Sequence, residues 1–259
     1  MTPHGEPGPD PAERCRTVLA ASPLLEVTAH GSPSLVGAHA SDPDGRPLLL
    51  VPDVAPAASA VAGSRAAVPA RVRAAQLRPL QVVDRVRARV ELHGSLDVVP
   101  VGERGAAMLR LADLGRMPPG AAHLAGAPAP EVPDGHALLR IDPHHVTLDG
   151  APVDLDAYAA AVPDPFAGRE STLLRRLLGD RPQAVAGLAT LLDPAVVAEA
   201  TEIAPSGLDR RGVTILVATP AWSREIRLAF AAPADTPAAL EGALGVLLAS
   251  AGRPRSRWT

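Results

Sequence analysis

Residues 202–218 read EIAPSGLDRRGVTILVA, and residues 224–230 read REIRLAF. Both stretches are rich in apolar and β-branched residues and are bounded by glycine or proline, which is typical of β-strands. Gly207 and Gly212 bracket the charged turn within the first stretch, so we expect a strand on each side of that turn. The third strand follows after a Thr-Pro turn. The sequence therefore predicts a short antiparallel meander near its C-terminal end.

A helix is predicted directly after this meander. Thr236 is a good capping residue with Pro237 at the first helical position, and Gly252 provides a stop. The apolar residues of this segment recur on one helical face, namely Leu240, Leu244, Leu247, Leu248 and Ala251. The C-terminal region is therefore predicted to be a small α+β domain.

Composition separates this region from the rest of the chain. Hydrophobic residues make up 47% of the 259 residues, but aromatic residues make up only 2%. The aromatic residues all lie between residues 158 and 258. The N-terminal part must therefore pack with valine, leucine and alanine, which indicates two regions with different cores. Stacked aromatic platforms for single-stranded nucleic acid are not expected.

The charged and sulfur-containing residues exclude several classes of function. The net charge is −3 and every basic side chain is arginine, so neither polyanion binding nor lysine chemistry is expected. Cys15 is the only cysteine, which excludes an internal disulfide and a thiolate metal cluster. The sequence begins without a signal-peptide pattern and contains no apolar span of membrane length, so we expect a cytoplasmic protein without a membrane partner.

The N-terminal region alternates strand and helix patterns. After a disordered segment at 1–9, the sequence predicts a helix over 10–21 that buries Cys15, then several strands over 24–51. A helix over 103–117 and a hairpin over 137–148 follow, whereas 68–79 has no clear pattern. These elements suit a small barrel with appended helices over 10–150. A proline-marked linker is predicted at 151–168, the C-terminal domain at 169–252 and a tail at 253–259.

The clearest strand pattern in the chain runs over residues 81–99. Val82, Val86, Ala88, Val90 and Leu92 alternate with a polar set that includes Arg85, Arg87, Arg89, Glu91 and His93. The three arginines are expected to form a row about 7 Å apart that could hold a phosphate or haem propionates, with His93 at its end. The alternative is a solvated outer face that pairs with carboxylates of neighbouring strands.

Histidines provide the other candidate ligands. His144 and His145 stand at the predicted hairpin turn, where one of them could act as an axial ligand or a proton shuttle. Because adjacent strand residues point to opposite faces, we do not expect both to bind one metal ion. A metal shared by His30 and His39 is not expected either, since the predicted hairpin places His39 opposite residues 25–26, away from His30.

Several stretches in this order resemble flavin-type split barrels of the pyridoxamine-phosphate-oxidase-like class. They are PAERCRTVLA at 11–20, GRPLLL at 45–50, RVRARVELHGSL at 85–96 and YAAAVPDPF at 158–166. The tail from 206–212 through 227–230 is similar to the C-terminal domain of haem-utilisation (HugZ-type) proteins and of plant glutamyl-tRNA-reductase-binding proteins. The resemblance implies an FMN-binding-type split β-barrel followed by an α+β domain. It also implies a homodimer with a ligand at the interface.

The sequence departs from the resemblance at two places. The Asn-x-Asp-His motif usual in the C-terminal domain is replaced by GLATLLD at 187–193, and no histidine follows His145. Three functions stay open. The first is a dimeric haem- or tetrapyrrole-binding protein that uses the residues Arg85, Arg87, Arg89, His93, His144 and His145. The second is an FMN-dependent oxidoreductase in which the same arginines bind the phosphate. The third is a protein-interaction module whose ligand pocket has decayed.

Overall fold

The computed structural model describes residues 10–78, 85–117, 129–179 and 182–251. The predicted disordered N-terminus at 1–9 and the tail at 253–259 lie outside this described part. The chain forms two compact units. The first consists of Asp10–Leu77 and Val86–Pro163; the second contains the described residues from Asp164 onward, and Arg78 and Arg85 group with it.

The described residues of the first unit form a curled antiparallel sheet with four helices. Its strands pair in the order β2-β1-β5-β6-β7-β4-β3, and β8 pairs with β7. The strands are β1 Leu25–Ala29, β2 Ser32–Val36, β3 His39–Ser41, β4 Pro47–Pro52, β5 Val68–Leu77, β6 Val86–Val98, β7 His136–Leu148 and β8 Ala151–Val153. The helices are α1 Pro11–Ala21, α2 Pro56–Ala62, α3 Val101–Asp113 and α4 Leu155–Ala160.

The core of this unit is built as its composition predicts. Alternate residues of the long strands are buried, as Val68, Ala70, Val72 and Ala74 show in β5. Valine, leucine and alanine dominate the core, and Tyr158 is its aromatic member. The predicted first helix is confirmed, since Asp10 Oδ1 accepts a hydrogen bond from the Ala12 backbone N–H at 2.7 Å.

Two β-bulges change the strands that sequence patterns predicted. In β6, Val86 pairs with Leu77 and Ala88 with Gln76, so Arg87 is an extra residue between them. In β7, His145 pairs with His93 and Pro143 with Gly94, so His144 is an extra residue there. The hairpin predicted around residues 142–143 is therefore wrong, because β7 runs through those residues as one strand. Pro143 is tolerated because it lies at the bulge.

Gly94 is required where β7 bends. A Cβ atom on this residue would lie 2.2 Å from the backbone oxygen of Asp142, closer than any side chain can approach. The missing Cβ allows the backbone of the bulged strand β7 to lie close to β6. Glycine at this position therefore fixes the path of β7 next to His144 and His145.

Other strand boundaries also differ from the prediction. Residues 68–77, which had no clear pattern, form β5. Strand β6 begins at Val86 rather than at 81, and the predicted start at 81–84 lies outside the described residues. His39 pairs with Leu49 across β3 and β4, not with residues 25–26.

Residues 151–163 fold with the first unit, although a linker was predicted at 151–168. They form β8 and α4, and the Tyr158 hydroxyl donates to the Gly45 carbonyl at 2.7 Å. The guanidinium of Arg16 donates to the carbonyls of Tyr158 at 3.2 Å and Asp42 at 3.1 Å. This buried network joins α1, α4 and the turn before β4. The first unit consequently ends at Pro163.

The second unit contains the predicted meander and helix. Its elements are α5 Glu170–Gly179, α6 Pro182–Ala189, α7 Pro194–Glu199, β9 Glu202–Asp209, β10 Gly212–Ala218, β11 Ser223–Ala229 and α8 Pro237–Ala251. The sheet order β11-β10-β9 is antiparallel throughout. Thr236 Oγ1 accepts from the Ala239 backbone N–H at 3.2 Å, which confirms the predicted cap. The predicted stop at Gly252 lies outside the described residues.

Buried carboxylates anchor the strands of this unit. Glu170 Oε1 accepts from the Leu208 backbone N–H at 2.9 Å, and Asp164 Oδ2 accepts from the Arg210 backbone N–H at 2.7 Å. Burial raises the pKa of Asp164.

None of the described helices has the length and apolar character needed to span a bilayer.

Candidate functional site

Strands β6 and β7 carry a histidine pair on the outer face of the first unit. Ala88, Val90 and Leu92 of β6 are buried, so the intervening Arg89, Glu91 and His93 face outward. His93 pairs directly with His145 of β7, and the centroids of the two imidazole rings lie 6.2 Å apart. The structure thus brings together two predicted ligands that lie more than fifty residues apart in sequence.

The bulge in β7 adds a third imidazole to this face. His144 and His145 are both exposed, and Nε2 of His144 lies 3.4 Å from Oγ of Ser95. Strict alternation would have placed His144 on the inner face, so the reasoning that separated these two histidines fails at the extra residue. We call the exposed set of His93, His144 and His145 the histidine cluster.

A carboxylate orients one member of the cluster. Nε2 of His93 donates to Oε1 of Glu91 at 2.7 Å, since a carboxylate only accepts. Nε of Arg73 donates to Oε2 of the same group at 2.8 Å. These bonds from Arg73 and then His93 lower the pKa of Glu91, and the bond to Glu91 raises the pKa of Arg73. His145 makes no hydrogen bond among the described residues.

The predicted row of three arginines does not form. Arg89 is exposed on β6, but Arg87 occupies the bulge and is half-buried, and Arg85 precedes the strand and groups with the second unit. The even spacing that the pattern implied is therefore lost at the bulge. Of these three arginines, Arg89 is the one on the outer face with the histidine cluster.

Arg71 is a cation that sequence reasoning missed. It lies on β5 as the direct neighbour of His93, and the buried Ala70 and Val72 on either side turn it outward. Neither Arg71 nor Arg89 forms an ion pair with its side chain among the described residues. The alternation of Ala70, Arg71, Val72 and Arg73 was the signal that could have revealed it. Arg71 is thus the direct neighbour of His93, whereas Arg89 lies four residues before His93 on the same face of β6. Both arginines have available guanidinium groups.

The ligand chemistry of this face comes from the imidazoles of the histidine cluster and the guanidinium groups of Arg71 and Arg89. Imidazole nitrogens are ligands for transition-metal ions, and guanidinium groups bind carboxylates or phosphates through paired hydrogen bonds. No group of three or more His, Cys, Asp or Glu residues in the described part is arranged to hold a bare metal ion. Imidazole and guanidinium groups therefore share this face of the sheet.

The buried polar candidates have structural roles. Cys15 is fully buried, as predicted for the first helix, and burial raises its pKa to about 12, so the thiol is inert. His39 is 2% exposed, and its Nε2 donates to the Ser22 carbonyl at 2.9 Å. Burial and then the adjacent Arg116 lower the pKa of His39 to about 4. Neither residue is available to a ligand.

An open groove near His39 forms a concave surface of this unit. Its volume is about 600 Å³, and its wall includes Leu35, Leu50, Arg116 and His136. The Arg116 guanidinium is engaged, because it donates to the carbonyls of Ala20 and Ser22 at 2.8 Å each. The groove therefore has fewer available cations than the face around the histidine cluster.

Comparison with known proteins shows the fold. No protein-family model matches the sequence, and no curated protein matches it. A heme binding protein from Mycobacterium smegmatis aligns with a TM-score of 0.63 and 23% identity over 95% of this chain and 98% of its own. A protein of unknown function from Agrobacterium tumefaciens covers 96% of this chain and 100% of its own, with a TM-score of 0.39 and 17% identity.

A FAD and heme binding protein from M. smegmatis covers 55% of this chain and 73% of its own, with a TM-score of 0.39 and 21% identity. The first of these likenesses extends over both units of the present chain. It confirms the predicted architecture of a split β-barrel followed by a small α+β domain.

Proposed function

We propose that this chain is a haem-binding protein that uses the outer face of its split barrel. The observation that carries the proposal is the histidine cluster beside Arg71, with Arg89 further along the same face of β6. Neither guanidinium group has a carboxylate partner among the described residues. The full-length likeness in fold to a protein described as heme-binding supports it. Haem, when bound, would supply an iron centre whose chemistry depends on its axial ligand.

The available groups fit a haem molecule. His145 would bind the haem iron, because its imidazole is exposed and makes no hydrogen bond among the described residues. His93 is held by Glu91, which leaves it as a neighbour to the ligand rather than the ligand itself. Arg71 and Arg89 would pair with the two propionates.

The proposal includes a homodimer in which a second copy of the chain covers the haem. A sheet face alone leaves most of a flat ligand exposed, whereas ligand sites usually bury most of the ligand surface. A homodimer that places this face at its interface would cover the haem. The expected mass in light scattering is therefore twice that of the chain, at least in the presence of hemin.

Haem is favoured over flavin mononucleotide by the imidazoles. A flavin phosphate would use the guanidinium groups alone, whereas an iron centre uses the histidine cluster as well. Addition of flavin mononucleotide should consequently leave the thermal midpoint of the protein unchanged. A clear stabilisation by the flavin would select the oxidoreductase alternative instead.

Hemin titration followed at the Soret band tests the proposal. The wild-type protein should give a saturable shift at one hemin per chain, and His145→Ala should weaken binding and change the band position. His136→Ala is the matched control, because His136 is a partly exposed histidine of the same strand outside the cluster. No shift in the wild type, or equal effects of both variants, would overturn the assignment. Absence of binding to both hemin and flavin would select the interaction-module alternative.

A further inference from the structure

The second unit contains a cleft that the haem proposal does not use. It lies between α5 and α8, and β9 contributes to its floor. Its volume is about 620 Å³, within the range of small-molecule sites. The inner walls are apolar and largely buried; they comprise Phe166, Leu173, Leu177, Leu208, Leu240 and Leu244.

Two cations stand at the edge of this apolar cleft. Arg169 and Arg176 line it and are exposed, and neither side chain has an ion pair or hydrogen bond among the described residues. The Arg169 carbonyl accepts the first backbone bonds of α5, from Thr172 and Leu173. The sequence separation of seven between the arginines corresponds to about 10 Å of helical rise, with Leu173 between them on the same face. Each guanidinium is therefore available to an anion that enters the apolar space.

The charged residues that line the cleft are mainly cationic, which favours the binding of an anion. Glu241 of α8 is the one carboxylate among its lining residues, against the two guanidinium groups. A guanidinium group binds a carboxylate in a two-point contact that it cannot form with water alone. The apolar interior beside it would lower the free energy of a hydrocarbon chain in proportion to the area removed from water.

We infer that this cleft binds an amphipathic carboxylate, with a hydrocarbon body between α5 and α8 and a carboxylate on Arg169 or Arg176. A long-chain fatty acid is the simplest member of this class. The site is separate from the histidine cluster, so the inference does not depend on haem binding.

Isothermal titration calorimetry with dodecanoate below its micelle concentration tests the inference on the full chain. The wild type should bind at one site per chain. Decanoate, which is two methylenes shorter, should bind about tenfold more weakly. The double variant Arg169→Gln/Arg176→Gln should lose about tenfold or more in affinity for dodecanoate. Glu241→Gln should bind more tightly than the wild type.

The control variant is Arg175→Gln. Arg175 lies on the same helix and is exposed, but it is not part of the cleft and donates instead to Ser171 and Thr172. The affinity of Arg175→Gln for dodecanoate should equal that of the wild type. The double variant Arg169→Gln/Arg176→Gln should bind hemin as the wild type does. Absence of saturable binding, or equal losses in Arg175→Gln and the double variant, would overturn the inference. Thermal melting of each variant verifies that these exposed substitutions leave the fold intact.

Discussion

Acid should destabilise the barrel unit through the buried imidazole of His39. This residue is 2% exposed, and burial followed by the charge of Arg116 lowers its pKa from 6.5 to about 4. The unfolded chain therefore binds a proton at higher pH than the folded one does. The stability that comes from keeping His39 neutral is complete above pH 6.5 and is lost as the pH falls toward 4.

The size of this effect follows from the shift in pKa. A difference of about 2.5 units corresponds to about 3 kcal/mol, of which most should be lost by about pH 4.5. The variant His39→Gln keeps a donor for the Ser22 carbonyl but has no proton to gain. As the pH falls from 6.5 to about 4.5, the free energy of unfolding of His39→Gln should decrease by about 3 kcal/mol less than that of the wild type.

Urea unfolding at several pH values between 7.5 and 4.5 measures the difference. The barrel transition can be followed by near-ultraviolet circular dichroism of Tyr158, which is the only tyrosine and lies in the barrel core. Trp222 of the second unit reports the other transition by fluorescence, and its pH dependence should be the same in both proteins. Parallel pH profiles of the barrel transition in wild type and His39→Gln would refute the assignment.

Three further predictions concern the barrel. Tyr158→Phe removes the buried bond to the Gly45 carbonyl and should lower the free energy of unfolding by about 1–2 kcal/mol in urea; no change would mean that the bond is not formed. Gly94→Ala should cost at least about 2 kcal/mol because its Cβ would meet the Asp142 backbone, whereas Gly102→Ala, whose Cβ would meet no atom within 4 Å, should cost little. Cys15 should resist a thiol reagent at pH 8 in the native protein and react fully in urea, since it is buried and its pKa is raised to about 12; rapid native labelling would contradict this.

Local chemistry was sufficient to predict much of the secondary structure. The cap at Asp10, the meander of 202–229 and the cap at Thr236 each depend on residues close in sequence, and the structure confirms them. Strand β5 was missed because Pro69 and the small residues obscure the alternation that Val68, Ala70, Val72 and Ala74 provide. Its strand conformation also depends on pairing with β1 and β6. Such pairing involves residues that are distant in sequence.

The candidate site was predicted only in part for a related reason. The sequence identified the histidines and Arg89, but their common position on one face depends on register and on two bulges. A bulge shifts every later side chain to the other face, and it cannot be read from a period-two pattern. The bulge in β7 brought His144 beside His145, and the separate bulge in β6 removed Arg87 from the predicted row. Arg71 entered the site through pairing of β5 with β6.

The position of iron in a hemin complex tests the central claim most directly. Crystals of the protein grown with hemin should give an iron anomalous peak within coordinating distance of the His145 imidazole, with the propionates toward Arg71 and Arg89. A peak in the groove beside Arg116 and His136, or in the cleft between α5 and α8, would contradict the assignment of the site. A complex without any ordered iron on the outer face of β6 and β7 would contradict it as well.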